Sequence, residues 1–160
     1  MLTLKPKLTQ ERLMQVLFYE PETGDWFWRH NGKIAGTPFN GGYNQIMIDT
    51  SKYMASHLAF LYMTGHMPKD TADHKDRNPA NDTWTNLREA TQAEQNRNRI
   101  RRYKNQAGFT GVKREPSGRY RAHIKISGKT IHLGMFDKAE DAAEAYKKAA
   151  IHYYGEFASA

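Results

Sequence analysis

Apolar and polar positions follow two rhythms along this chain, and the rhythm changes at recognisable turns. In LTQERLMQVLF, residues 8–18, Leu8, Leu13, Val16 and Leu17 recur near helical spacing behind Thr9, a suitable N-cap. A turn over 20–24 leads into Asp25–Arg29, a short aromatic strand whose rings are expected in the core. Asn31-Gly32 and Asn40-Gly41-Gly42 turn the chain, Tyr43–Asp49 alternates as a strand, and Thr50-Ser51 turns it again. SHLAFLYMT, residues 56–64, predicts a helix closed by Gly65, with Leu58, Leu61 and Tyr62 on its apolar face. Next, Thr71–His74 can be a strand, 78–82 a loop, Thr83–Leu87 a helical turn and Arg88–Thr91 a second strand. Thr91 can cap a helix starting at Gln92, giving strand, loop, strand, helix in sequence.

The last unit has the clearest alternation. Gly111–Glu115, Arg119–Ile126 and Thr130–Leu133 read as strands joined by tight turns at 116–118 and 127–129. In the middle strand Tyr120, Ala122, Ile124 and Ile126 face one way, and Arg119, Arg121, His123 and Lys125 the other. An Ala-rich helix, Lys138–Tyr154, places Ala142, Ala145, Tyr146, Ala149, Ala150 and Tyr153 on one side to cover the apolar face. The open face of the sheet keeps a row of cations.

A length of 160 residues suits one ordinary domain or two small ones. With no cysteine, disulfides, zinc knuckles and thiolate nucleophiles are excluded, and no structural zinc is expected. Lys5, Lys7, Glu11 and Arg12 interrupt the first twenty residues, against a signal peptide. No stretch approaches the ~18 apolar residues of a membrane helix, so an intracellular, soluble protein is expected. The net charge of +7 is unevenly spread. Residues 1–98 hold 11 basic and 11 acidic side chains, whereas 99–160 hold 13 and 6. A basic stripe beside a neutral region is the footprint of a nucleic-acid binder, although a solvated tail or a contact for an acidic partner has the same composition.

The candidate chemistry lies in DHKDRNPANDTWTNLREATQAEQN. Asp73 and His74 are adjacent, Asn86 follows twelve residues after the histidine, and Gln95-Asn96 nine or ten beyond that. Phosphodiester cleavage needs an activated water, relief of phosphate charge and help for the leaving oxygen. Asp73 offers a carboxylate and Gln95 or Asn96 an amide oxygen to a hard cation, while His74 titrates in the range of a general base. By residue type alone these are also ordinary loop residues. His57 and His66 flank the 56–64 helix without a partner at a metal-binding spacing and are assigned structural roles.

The run DH…N…NLREAT, with LTQERLMQVLFYEPETGDWFW, SHLAFLYMTGHMP and EQNRN around it, resembles the HNH endonucleases of the phage and intron-encoded branch over roughly residues 8–98. That resemblance implies a ββα-metal fold with Asp73 as a metal ligand, His74 as general base and Asn86 orienting the histidine. It departs at Ser56-His57, where relatives carry His-Arg, and at the last ligand, usually Asn or His, here Gln95 with Asn96 one step later. GFTGVKREPSGRYRAHIKISGKTIHLGMFDKAEDAAEAYKKAA resembles the AP2 DNA-binding domain over about 107–158, without the plant members' tryptophans, which Ser117 and His132 replace.

Together these imply an α+β protein: an HNH endonuclease domain at 1–98, a basic linker at 99–106 and an AP2-like three-stranded sheet packed on one helix at 107–160. The expected activity is hydrolysis of double-stranded DNA, nicking or homing-type, with one divalent ion, Mg²⁺ or Mn²⁺, in a phage-encoded protein acting as monomer or homodimer. The alternative is a DNA-binding or regulatory protein with a degenerate HNH site. Arg97, Arg99, Arg101, Arg102, Lys104, Lys113, Arg119, Arg121, His123, Lys125 and His132 are the expected DNA contacts.

Overall fold

Thr9 caps helix α1, Gln10–Val16, its hydroxyl accepting from the Arg12 N–H at 3.2 Å, and the helix stops at Leu17 rather than running on to Phe18. Leu17–Tyr19 is instead strand β1, paired antiparallel with β2, Trp26–Trp28. The pairing wins because Leu17 and Tyr19 alternate into the core opposite Trp28 and Trp26 while Phe18 faces out. Tyr19 stacks on Trp26 at 4.7 Å between centroids, and Tyr62 meets both rings edge-on. Tyr19 and Trp26 are thus core, as the sequence suggests, while Phe27 and Trp28 are half-buried.

The structure, a computed structural model, describes residues 7–98 and 107–158. By contacts the chain divides into Met1–Gln92 and Ala93–Ala160. In the first unit a three-stranded antiparallel sheet runs β3 (Thr37–Phe39), β4 (Tyr43–Ile48), β5 (Ser51–Met54). The turn expected at Thr50-Ser51 lies one residue earlier, at Asp49 and Thr50, both at positive φ, so Ser51 already pairs with Ile48 as the first residue of β5. Helix α2, Ala55–Thr64, buries Leu58, Ala59 and Leu61 and ends at Gly65 in the left-handed conformation. Strands β6, Thr71–His74, and β7, Leu87–Ala90, form a separate antiparallel ribbon after it. A 3-10 turn at Trp84–Asn86 joins the connecting loop to β7. Helix α3, Gln92–Asn98, follows, its first N–H donating to Asp70 Oδ2 at 2.8 Å. The division falls after Gln92, so the rest of α3 is counted with the second unit.

That unit continues with β8 (Val112–Arg114), β9 (Tyr120–Ile126) and β10 (Lys129–Phe136) in one antiparallel sheet, order β10-β9-β8, followed by α4, Ala139–Tyr154. Val112, Ala122 and Ala142 are fully buried between sheet and helix. Gly111 permits this approach: at φ +70° it sits under the Tyr146 ring, and a β-carbon there would fall 2.0 Å from that ring. On α4 the sequence expects Tyr153 on the packed side, but Tyr153 is exposed and the Tyr154 hydroxyl donates to Lys125 O at 2.7 Å. From Ala142 the packed stripe steps by fours, through Tyr146 and Ala150 to Tyr154.

Candidate functional site

His74 ends β6 with only 4% of its surface exposed, and its Nε2 lies 2.9 Å from Asp82 Oδ1, itself on a residue 3% exposed. A carboxylate accepts, so Nε2 is the donor in this contact. The Tyr43 ring lies 5.9 Å away, tilted against the imidazole. Asp82 is fixed from the aromatic core: the Tyr19 hydroxyl donates to its backbone oxygen at 2.5 Å. Burial, with the Asp82 and Glu20 carboxylates nearby, pushes the Tyr19 phenol well above its ordinary pKa, so it stays a donor. Gly24, at φ +82°, packs so tightly that a β-carbon would stand 2.6 Å from the Asp82 carbonyl carbon. Trp84 N–H donates to Pro21 O at 2.9 Å, pinning the other side of the same loop.

Asp73 precedes the histidine and lies directly opposite Arg88 on β7. Arg88 Nε and Nη2 both donate to Asp73 Oδ2, at 2.9 and 2.7 Å, and both residues are buried.

Asn86 ties the intervening loop together. Its Oδ1 accepts from Asp76 N–H at 3.0 Å, and its Nδ2 donates to Asp76 Oδ1 at 2.9 Å and Asn81 O at 2.8 Å. Its backbone oxygen accepts from Lys75 N–H at 2.9 Å, directly after the histidine. Burial works against ionisation of Asp76, but bonds from Asn81, the Asn78 backbone and Asn86 outweigh it and hold the carboxyl below its ordinary range. Asn86 therefore acts on the loop, and the carboxylate on the ring belongs to Asp82. Behind β6, His57 Nε2 accepts from the Ala72 N–H at 3.5 Å, and burial lowers its pKa, favouring the neutral ring.

The structure brings Asp73, His74 and Asn86 together on the β6–β7 ribbon and its loop. Gln95 and Asn96 lie on α3, counted with the second unit. On that helix Arg97 stacks its guanidinium 4.8 Å from the Tyr154 ring centre. Arg99, Arg101, Arg102 and Lys104 lie outside the described residues. Lys113 pairs across from Arg121, His123 from His132 and Lys125 from Thr130, which places them on one sheet face. Arg119 is bound at the hairpin, to Asp137 at 2.9 Å and Met135 O at 3.0 Å.

Sequence reasoning missed Asp82, Arg88 and Tyr19. For Arg88 the signal was the pairing of the two expected strands, but their facing ends set it opposite His74; Leu87 joins β7 and shifts Arg88 opposite Asp73. Asp82 carried no such mark, standing among Asn and Asp residues that all suit turns.

Residues 53–97 match the model of the HNH endonuclease family, a span that contains the β6–β7 ribbon and α3 as far as Arg97. An uncharacterised HNH endonuclease, L560, of Acanthamoeba polyphaga mimivirus is 31% identical over 100 residues, 62% of this chain and 51% of that protein. The ethylene-responsive transcription factor ERN2 of Medicago truncatula is 52% identical over 44 residues, 26% of this chain and 14% of that protein. The chain thus spans about half the viral relative's length and less of the plant one's. The structure of the HNH homing endonuclease I-HmuI binding and cleaving DNA aligns over 86% of this chain and 84% of its own, at 19% identity and TM-score 0.42.

Proposed function

We propose that the HNH endonuclease segment at residues 53–97 is the cutting module of a divalent-metal-dependent DNA endonuclease. The observation that carries this is the buried His74, whose Nε2 is held by the Asp82 carboxylate at 2.9 Å. In this reading the imidazole takes a proton from water, and Asp82 stabilises the imidazolium formed. Asp73 would supply a carboxylate, and Gln95 or Asn96 an amide oxygen, to a Mg²⁺ or Mn²⁺ ion. Among the described residues no three His, Cys, Asp or Glu side chains gather into a cage. A carboxylate and an amide oxygen are ligand types that a hard cation accepts beside waters and phosphate oxygens. Such an ion, when bound, relieves phosphate charge and assists the leaving oxygen.

Double-stranded DNA is the proposed substrate, gripped through Lys113, Arg119, Arg121, His123, Lys125 and His132 of the AP2-like sheet and through Arg97, Arg99, Arg101, Arg102 and Lys104. Support comes from the charge excess, which lies wholly after residue 98, and from the 44-residue likeness to a plant transcription factor. We assign the sheet, with 107–160, to binding and 1–98 to cutting. One His74 serves one strand, so a monomer nicks, as a homing-type enzyme of a phage acting inside its bacterial host. No helix among the described residues is long and apolar enough to cross a membrane.

Supercoiled plasmid incubated with the full chain and Mg²⁺ or Mn²⁺ tests this. Metal-dependent conversion to open circles is expected, blocked by EDTA and reduced ~10²–10⁴-fold in His74→Ala. No nicking with either metal, alongside retained duplex binding, would leave a DNA-binding protein with a degenerate site instead.

A further inference from the structure

The outer face of the β8–β10 sheet offers hydrogen-bond donors almost throughout, and one carboxylate breaks the pattern. Between residues 97 and 129 stand eleven basic side chains and a single acid, Glu115. The β8–β9 hairpin fixes its backbone: its N–H donates to Arg119 O, and its carbonyl accepts from Gly118 N–H, each at 2.9 Å. Its carboxylate stands 3.0 Å from Arg121 Nε and 4.0 Å from Lys113 Nζ, two of the cations that face would present to DNA. Arg121 Nε and Glu115 Oε1 are both shielded from solvent, yet neither has a directed hydrogen bond, so their contact is Coulombic. His123, next outward on β9, also buries Nδ1 without a partner. Buried polar atoms left in this state are costly until a partner supplies the geometry.

The carboxylate restricts what that partner can be. It has no proton to give and repels phosphate. In the major groove, cytosine N4 and adenine N6 donate, whereas guanine N7 and O6 and thymine O4 accept. We infer that Glu115 is a specificity-determining residue of this face, accepting from the exocyclic amine of a cytosine while its pairing with Arg121 and Lys113 restrains them from gripping any phosphate. Arg121 has the complementary donors for guanine O6 and N7, so the pair matches a cytosine opposite its guanine. This rests on the proposed docking of the sheet against duplex DNA.

The test compares the full chain with Glu115→Gln and Glu115→Ala. Each titrates a random-sequence duplex and a duplex selected by the wild type from a randomised pool, at several salt concentrations. Both variants should bind random duplex more tightly, the log–log salt slope steepening by about 0.9 for each cation released. The preference for the selected duplex should fall on the order of tenfold, the scale of one base-reading contact. Lys113→Gln, changed on the same face, should weaken binding to both duplexes alike. Wild-type binding with the Glu115 variants indistinguishable in slope and preference would overturn this inference alone. Absence of salt-sensitive duplex binding by the wild type would overturn the docking proposal and this inference with it.

Discussion

Replacing Asp82 with Asn probes the His74–Asp82 contact while keeping its shape. The bond joins two groups that are each at least nineteen parts in twenty buried, at 2.9 Å, so solvent does little to screen it. A hydrogen bond to a charged group contributes about 1.5–3 kcal/mol and a neutral one about 0.5–1.5 kcal/mol, so the exchange removes roughly 1–2 kcal/mol. The loss falls on the step in which the ring gains its proton, because the charged ring benefits most from the carboxylate. At about 1.4 kcal/mol per tenfold in rate, Asp82→Asn should nick plasmid roughly 5–30-fold more slowly than wild type. Asp82→Ala should be slower again, since it leaves the ring without this acceptor. Single-turnover nicking at saturating protein measures the rate directly, and a thermal melt with duplex binding at matched salt shows that the fold survives. Wild-type rates in a folded Asp82→Asn would refute the assignment of the carboxylate to the histidine, whatever became of His74→Ala.

Two further substitutions test the scaffold of the ribbon. Arg88→Met removes both donors to the buried Asp73 oxygen and should destabilise the chain by about 3–5 kcal/mol in urea unfolding, the cost of breaking a buried ion pair from one side. A change below about 1 kcal/mol would show that other groups already hold that carboxylate. His57 has its folded pKa lowered by burial from the ordinary 6.5, so the unfolded chain binds the proton more readily. Its contribution is therefore fully present above 6.5 and is lost as the pH falls through and below that value. Urea midpoints between about pH 8 and about pH 5 should drop more steeply for wild type than for His57→Gln, and parallel profiles would refute a neutral ring as acceptor for Ala72.

The parts of the fold legible in the sequence are those where one face of a period-2 strand is buried. Ala122 and Ile124 of β9 are inaccessible while Arg121, His123 and Lys125 on either side are not, so the alternation marks both the strand and the face that meets α4. Leu17–Tyr19 was illegible because its apolar residues continue the spacing of α1. Only pairing with Trp26–Trp28, a non-local event, turns that stretch into a strand. The same limit separates Tyr153 from Tyr154, since both lie within the spread of a helical stripe and the sheet beneath decides between them.

The candidate site divides along similar lines. Asp73, His74 and Asn86 could be singled out because the DH…N…NLREAT run resembles the HNH endonucleases, where residue type alone left them ordinary loop residues. The ring's partner could not. Asp76 and Asp82 sit in the same Asx-rich loop, eight residues or fewer from the histidine, and residue type does not distinguish them. Asn86, Asn81 and the Asn78 backbone bind Asp76, whereas Tyr19 and Gly24, far earlier in the chain, set the backbone of Asp82. The aromatic pair of β1 and β2 is therefore more than filler. By fixing where the loop passes, it selects which carboxylate meets the imidazole.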